Sequence, residues 1–382
     1  MENYEIETKG LPAKISPATT CVAESITQAT SKDSHMLILT LEDILKTYPE
    51  YEAESTRKYY EFLKLRAENP TFGYKKLAKA LGVKDGRTRC WKQWNGKPTP
   101  FLAIEKLNAA GLLPLYSDNS KIPAILRLLG AGFTDGGIDK NLNTFHFNSA
   151  RMENIEAWKK DFLEVFSYGE ETLSAIITGR HETSIGLRTT DRSIVRFFAA
   201  LGCPVGNKTN VSYCLPTWLF GLSKELKLAF LDGFFSCEVA MPQYPIWRQT
   251  RNFVNFSLSM SKIEEKESEH IEFLHELCKL SQSVGIKHTS INRVPQKKFL
   301  EDGTPRRKDG KTCDSYRILF SNSAENVLRT HHLIKLTYAI EKKQRFDNAV
   351  KTYRQRHVLQ DFIPQSGAEP DNQRHVLKQL IS

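Results

Sequence analysis

Two stretches of the sequence share one pattern, and the rest of the chain has to fold around them. Leu128-Leu129-Gly130-Ala131-Gly132-Phe133-Thr134-Asp135-Gly136-Gly137-Ile138 is answered, about a hundred residues later, by Ala229-Phe230-Leu231-Asp232-Gly233-Phe234-Phe235-Ser236-Cys237-Glu238-Val239. Each is a mostly apolar run with a glycine a few positions ahead of a closing acid, and Gly136 is a usual helix stop. The pattern predicts two buried helices, each presenting one carboxylate at its C-terminal end. A carboxylate there faces the negative end of the helix macrodipole, so a cation is expected beside it. Packing along Gly130 and Gly233 would bring Asp135 and Glu238 together. Like carboxylates at close quarters are tolerated when a divalent cation lies between them. Mg2+ is the default expectation, with Mn2+ as its substitute, because oxygen ligands, waters and substrate phosphates complete such a shell.

The charge balance names the partner to consider first. With 54 Lys and Arg against 44 Asp and Glu, the net charge of +10 favours a polyanion. Seven cysteines are scattered without a Cys-x-x-Cys pair, which suggests neither a zinc site nor a disulfide framework and points to a reducing, cytoplasmic, nucleoid-associated setting. No apolar run approaches the ~18 to 20 residues that cross a bilayer, so membrane partners are set aside.

Taken in order, residues 1–35 read as a disordered tail, rich in Ser, Thr, Ala and Glu without a period. Residues 36–120 read as a helical domain. Within it, Tyr74 to Ala80 forms a short helix, Gly82 a turn, and Asp85 caps a second helix over Gly86 to Trp94, the layout of a helix-turn-helix. Early residues of a groove-entering helix reach base edges. Lys84, Arg87, Arg89, Lys92 and Gln93 are therefore the candidate DNA contacts, while Trp91 and Trp94 are expected to fill the small core.

Residues 121–222 and 223–350 repeat one order: motif helix, alternating strand, long helix, alternating strand, closing helix. The period suits a fused pseudo-dimer, hence a single-chain monomer. Phe145 to Ser149 and Ser184 to Thr190 are strands of the first half; Asn255 to Ser261 and Tyr316 to Ser321 are those of the second. The strand faces are unusually basic, with His181, Arg188, His288, Arg293, Lys311 and Arg317, and Lys297, Lys298, Arg306, Arg307 and Lys308 about an Asp302-Gly303 hairpin tip. Clustering on one face favours phosphate contact. Residues 351–382 read as a C-terminal tail, in which Arg356-His357-Val358-Leu359 recurs as Arg374-His375-Val376-Leu377.

Together the two motifs, with Leu201-Gly202-Cys203-Pro204-Val205-Gly206-Asn207-Lys208 and Leu215-Pro216-Thr217-Trp218-Leu219 between them, resemble the LAGLIDADG homing endonuclease family, in its single-chain archaeal type. The resemblance covers Pro123 to Arg345. It implies an α+β fold, a pseudo-two-fold pair of αββαββα units whose sheets form a saddle over double-stranded DNA, here preceded by the small all-α domain. It also implies that Asp135 and Glu238 bind divalent metal at the scissile phosphates, with Arg188 and Arg317, at equivalent points of the two halves, as assisting catalytic cations. Two positions depart from the family pattern: Val239 replaces a glycine, and Ser236 stands where aspartate is common. The chain has no Cys or Ser at its start and no His-Asn ending, so a freestanding protein is expected rather than an intein. Site-specific double-strand DNA cleavage is the leading expectation. A DNA-binding transcriptional regulator on the same scaffold without nuclease activity is the alternative, and the same basic surface could also serve structured RNA.

Overall fold

The computed structural model describes residues 35–178, 184–245, 251–296, 299, 307 and 309–361. Strand β1 (Leu37–Leu39) pairs antiparallel with β2 (Leu115–Tyr116), closing a helical unit made of α1 (Leu41–Leu45), α2 (Glu50–Glu68), α3 (Tyr74–Leu81), α4 (Asp85–Gln93) and α5 (Thr99–Ala109). Thr40 starts α1 with a reciprocal capping box, its hydroxyl accepting from Asp43 N and its own N–H donating to the Asp43 carboxylate at 3.0 Å. The unit has two cores. Tyr59, Phe62, Leu77, Leu81, Trp91 and Phe101 pack among themselves, whereas Ile44, Leu45, Ile104 and Leu107 join the core of the rest of the chain.

Helices α3 and α4 meet through Gly82, whose φ of 65° ends α3 in the left-handed region. Asp85 is the first residue of α4 and not its cap; Lys84 takes that place with no side-chain bond. The expectation for the tryptophans divides. Trp91 is buried against Tyr59, edge to face at 5.3 Å, but Trp94 is 66% exposed.

The remaining chain runs twice through the same order. The first pass is α6 (Ile122–Gly132), β3 (Gly136–Ile138), β4 (Phe145–Ser149), α7 (Met152–Val165), β5 (Leu173–Thr178), β6 (Ser184–Thr189) and α8 (Arg192–Ala200). The second is α9 (Lys224–Glu238), β7 (Val239–Ala240), β8 (Ser257–Ile263), α10 (Glu267–Ser283), β9 (His288–Val294), β10 (Cys313–Phe320) and α11 (Ala324–Leu333). Each forms a four-stranded antiparallel sheet, ordered β3-β4-β6-β5 and β7-β8-β10-β9, so corresponding strands hold corresponding places in an α+β fold. A final helix, α12 (Ile340–Asp361), runs through the point where the sequence suggested a tail from 351. Its apolar Phe346 and Val350 are buried in the main core and Tyr353 packs against it, so the helix keeps its contact with the core beyond 351.

Helices α6 and α9 touch backbone to backbone. A Cβ placed on Gly130 would lie 2.2 Å from the Phe230 carbonyl oxygen, and one on Gly233 would lie 2.0 Å from that of Arg127. Neither position can hold a side chain unless the helices separate. The contact is flanked by Phe133 and Phe230, edge to face at 5.7 Å. A Gly233→Ala substitution is expected to lower stability by about 3 kcal/mol through overpacking, read as a lower urea midpoint at unchanged m-value.

One buried histidine gives the fold an acid limit. His270 on α10 is 2% exposed, lies beside the rings of Phe273 and Tyr316, and neither ring nitrogen has a hydrogen-bond partner among the described residues. Burial, with the Lys262 charge nearby, pushes it down to about 3. Unfolded histidine titrates near 6.5, so this contribution to stability is complete above that pH and is lost as pH falls from about 6.5 toward 3. Replacing His270 with Phe should flatten the fall in melting temperature across that window.

Candidate active site

The glycine contact brings the C-terminal ends of α6 and α9 to one place. Glu238 is the last residue of α9, whereas α6 ends at Gly132 and Asp135 follows on the turn into β3. Gly136 therefore begins a strand and is not a helix stop. A Cβ there would meet the His146 carbonyl oxygen at 2.7 Å, which explains glycine after Asp135. Val239, at the matching place, is fully buried and extended in β7, paired with Leu258. Its substitution for glycine is accommodated by packing and leaves Glu238 in place on the helix.

The two carboxylates sense each other. Desolvation, followed by the charge of Asp135, pushes Glu238 up to about 7 against the pull of Lys208 and Lys342. Desolvation also holds Asp135 above the usual carboxylate range, although its side chain reaches solvent at the mouth of the site. Among the described residues neither carboxylate accepts a hydrogen bond or forms an ion pair, and no group of three or more His, Cys, Asp and Glu side chains could enclose a metal. Two under-coordinated oxygen ligands at a solvent-facing mouth fit a divalent ion that takes its other ligands from water and substrate phosphate.

The expected cations are lysines that the sequence argument did not single out. Lys208, in the loop after α8, directs its ammonium to the carbonyl oxygens of Gly132, at 3.2 Å, Thr134 and Gly136, which surround Asp135. Lys342, in the first turn of α12, does the same to Phe235, Ser236 and Cys237 at 3.4, 2.7 and 3.1 Å, just before Glu238. Each ammonium has three N–H donors, and each end offers three carbonyls. Burial lowers the pKa of both lysines, opposed by charges that include Asp135 and Glu238.

Separate contacts hold each lysine. The ammonium of Lys262 donates to the backbone carbonyls of Lys208 and Val211 at 2.6 and 2.9 Å and sits 4.1 Å from the Tyr213 ring centroid. Asp232 accepts from Leu336 N at 2.6 Å and from the Thr337 hydroxyl, and Ser236 accepts from Tyr338 N at 3.2 Å. These bonds fix the segment that leads into α12. Ser236 thus has a backbone partner that accounts for it. Each helix end demands a cation, yet no local pattern tells which lysine, since Lys208 lies far along the chain from Gly132.

The other predicted residues lie away from this pair or are already partnered. Arg188 on β6 and Arg317 on β10 are exposed between buried neighbours and bond Ser174 and Ser259 at 3.3 and 3.1 Å. They are not equivalent points of the two halves: Gly136, Phe147 and Leu187 match Val239, Leu258 and Ile318, which sets Arg317 at the place of Gly186, two residues from that of Arg188. The positive charges that reach the carboxylates are Lys208 and Lys342, not these arginines. Arg307, expected at an open hairpin tip, pairs with Asp309 and donates to Asn210 at 2.7 Å. Arg293 is bound by Asp314 and Glu267, and Lys311 by Glu265, so these described cations of the strand face are already paired with acids. Lys297, Lys298, Arg306, Lys308 and His181 lie outside the described residues. In the helical unit Lys84 and Arg87 are exposed, Arg89 donates to Gln93 at 2.8 Å, and the Lys92 ammonium is tied to the Phe72 carbonyl, which removes it from a free DNA-facing role.

The site joins two carboxylates and two capping lysines at the meeting point of paired helices. No family model matches the sequence. The tRNA-splicing ligase RtcB of Pyrococcus abyssi is 30% identical over 203 residues, 50% of this chain and 21% of that protein. The DNA-directed RNA polymerase subunit Rpo1N of Methanocaldococcus jannaschii is 27% identical over 255 residues, 63% of this chain and 18% of that one. The chain thus spans about a fifth of the length of these curated relatives. Among solved structures, the homing endonuclease I-DmoI in complex with DNA and Ca is similar with a TM-score of 0.35 and 14% identity, over 58% of this chain and 99% of that one. No described helix is long and apolar enough to cross a membrane.

The raised carboxyl pKa has a stability signature. Glu238 binds its proton more tightly folded than unfolded, so in metal-free buffer its contribution is complete below about 4.5 and is lost as pH rises through about 7. Glu238→Gln should abolish that decline in melting temperature, and Lys208→Met should carry it to higher pH.

Proposed function

We propose that the chain is a divalent-metal-dependent endonuclease acting on double-stranded DNA, built as a pseudo-two-fold pair of halves. The observation that carries this reading is the convergence of Asp135 and Glu238, neither with a protein donor among the described residues, between two lysine-capped helix ends. Asp135 and Glu238 would hold Mg2+ or Mn2+, and the ion would supply charge neutralisation at phosphate and a water of lowered pKa. Lys208 and Lys342 keep the carbonyls of both helix ends satisfied and hold positive charge beside the carboxylates. They limit the mutual repulsion of the two acids and favour an anionic substrate at the mouth. Arg188 and Arg317, on the open faces of the two sheets, would hold duplex phosphates flanking the site.

The relatives favour a self-contained unit. A ligase and a polymerase subunit, differing in activity, share this segment over only about a fifth of their lengths, so the segment's own chemistry is better read from its site than from either name. In the helical unit Lys84 at the N-cap and Arg87, Arg89 and Gln93 along α4 would be the groove-facing residues of the second helix of a helix-turn-helix.

Incubating the protein with a plasmid library and Mg2+ should give double-strand cuts. Asp135→Asn or Glu238→Gln should lower the cleavage rate by at least about a thousandfold while leaving duplex affinity within about threefold, as judged by gel shift at fixed salt. Cutting that survives both substitutions would overturn the metal assignment. Duplex binding without cutting by the unsubstituted protein, across the library, would favour the DNA-binding regulator.

A further inference from the structure

Beside the acid pair, on the far side of Lys342, lies a cavity of about 500 Å³ between α12 and the segment following β7. Ala240, Met241, Tyr244 and Ala349 make its apolar floor, while Gln243, Asn348, Thr352 and Arg345 bring polar groups to it. The α12 residues among them, with Lys342, recur every three or four positions and form one stripe along the helix, ~15 Å long at 1.5 Å per residue. Tyr244 is held by several neighbours, its ring against Phe253 and Tyr353 at 5.5 and 5.4 Å with the Arg356 guanidinium 5.9 Å from its centroid, and its hydroxyl 3.3 Å from His357 Nε2, so that it backs the floor on which Met241 and the two alanines lie. Arg345 is exposed, and among the described residues its guanidinium makes no hydrogen bond or ion pair. Its charge lies close enough to Lys342 to weigh against protonation there, so an anion between them would relieve two like charges at once.

The lining separates the possible anions. A stacked duplex turns only phosphates and groove edges outward, and would use the cations but not the apolar floor between the exposed amides of Gln243 and Asn348. An unstacked nucleotide uses all of it: its base lies on an apolar and aromatic surface, its edge meets Gln243, Asn348 and Thr352, and its phosphate meets an arginine. We propose that this cavity receives an unpaired nucleotide of single-stranded nucleic acid, its base on the Met241 and Tyr244 floor and its phosphate on Arg345. This extends the nuclease reading and rests on it for the strand's course past Lys342.

The test uses the full chain and fluorescence anisotropy with three labelled probes: short oligothymidylate, short oligouridylate, and a duplex of about two helical turns. Arg345→Ala removes the phosphate contact, and Ala349→Trp fills the cavity from a half-buried position. Both variants should weaken binding of the single-stranded probes about tenfold and leave duplex affinity within about twofold, with unchanged thermal melting confirming the fold. The ratio between thymidylate and uridylate tells whether DNA or RNA is the better source of the strand. If neither variant alters single-strand binding, or if Arg345→Ala weakens the duplex equally while Ala349→Trp does nothing, the cavity is not a nucleotide site. Failure of the unsubstituted protein to bind duplex at all would sink the nuclease reading instead, and the single-strand measurements would still decide the cavity.

Discussion

The backbone contact between α6 and α9 at Gly130 and Gly233 is the constraint on which the rest of the structure depends. It sets the approach of two helices at whose C-terminal ends the acids lie, Glu238 on the last residue of α9 and Asp135 on the turn after α6, and it does so with no side chain available to adjust the distance. Everything beyond follows from what that approach leaves exposed. Two negative helix ends meet, carbonyls without partners accumulate, and two carboxylates are added to them. Such a point is unfavourable unless positive charge is brought in, and Lys208 and Lys342 bring it from distant parts of the chain.

The two halves solve that problem alike in outline and differently in detail. In the first, the chain leaves α6 before reaching its acid, and Gly136 is needed because the His146 carbonyl crowds the turn. In the second, the helix carries its acid to the last residue, and Val239 packs where glycine stands in the first. The lysines are anchored by unlike means. Lys262 holds the backbone of Lys208 from the opposite half, while Asp232 and Ser236, on the helix being capped, hold the segment leading to Lys342. The second half thus supplies something the first needs: the cross-half bond of Lys262 ties the position of one capping lysine to the integrity of the neighbouring sheet.

Charge in this protein is informative only where it is not already used. A sequence count puts many cations on the strand faces, yet Arg293, Arg307 and Lys311 are bound by acids from neighbouring strands and turns. Among the described residues, the cations left without an acid partner include Arg188 and Arg317 on the two central strands, Lys84 and Arg87 on the helical unit, and Arg345 beside the cavity at α12.

By itself the sequence determined the repeated order of helices and strands and the glycines at the helix crossing, because apolar periodicity and glycine placement are local and survive in one dimension. It also pointed to a cation at each helix end, since the macrodipole argument needs only the helix and its acid. Four strands of the two larger sheets were not read from it: β3 and β7, which are two or three residues without alternation, and β5 and β9 at the opposite edges. Trp94 could not be told from Trp91, since both occupy plausible helical positions and only packing separates them. The tertiary structure alone decided which lysines cap the helices, which arginines remain unpartnered, and that α12 continues past 351. Those are choices among chemically equivalent side chains, and only distance between residues remote in sequence distinguishes them.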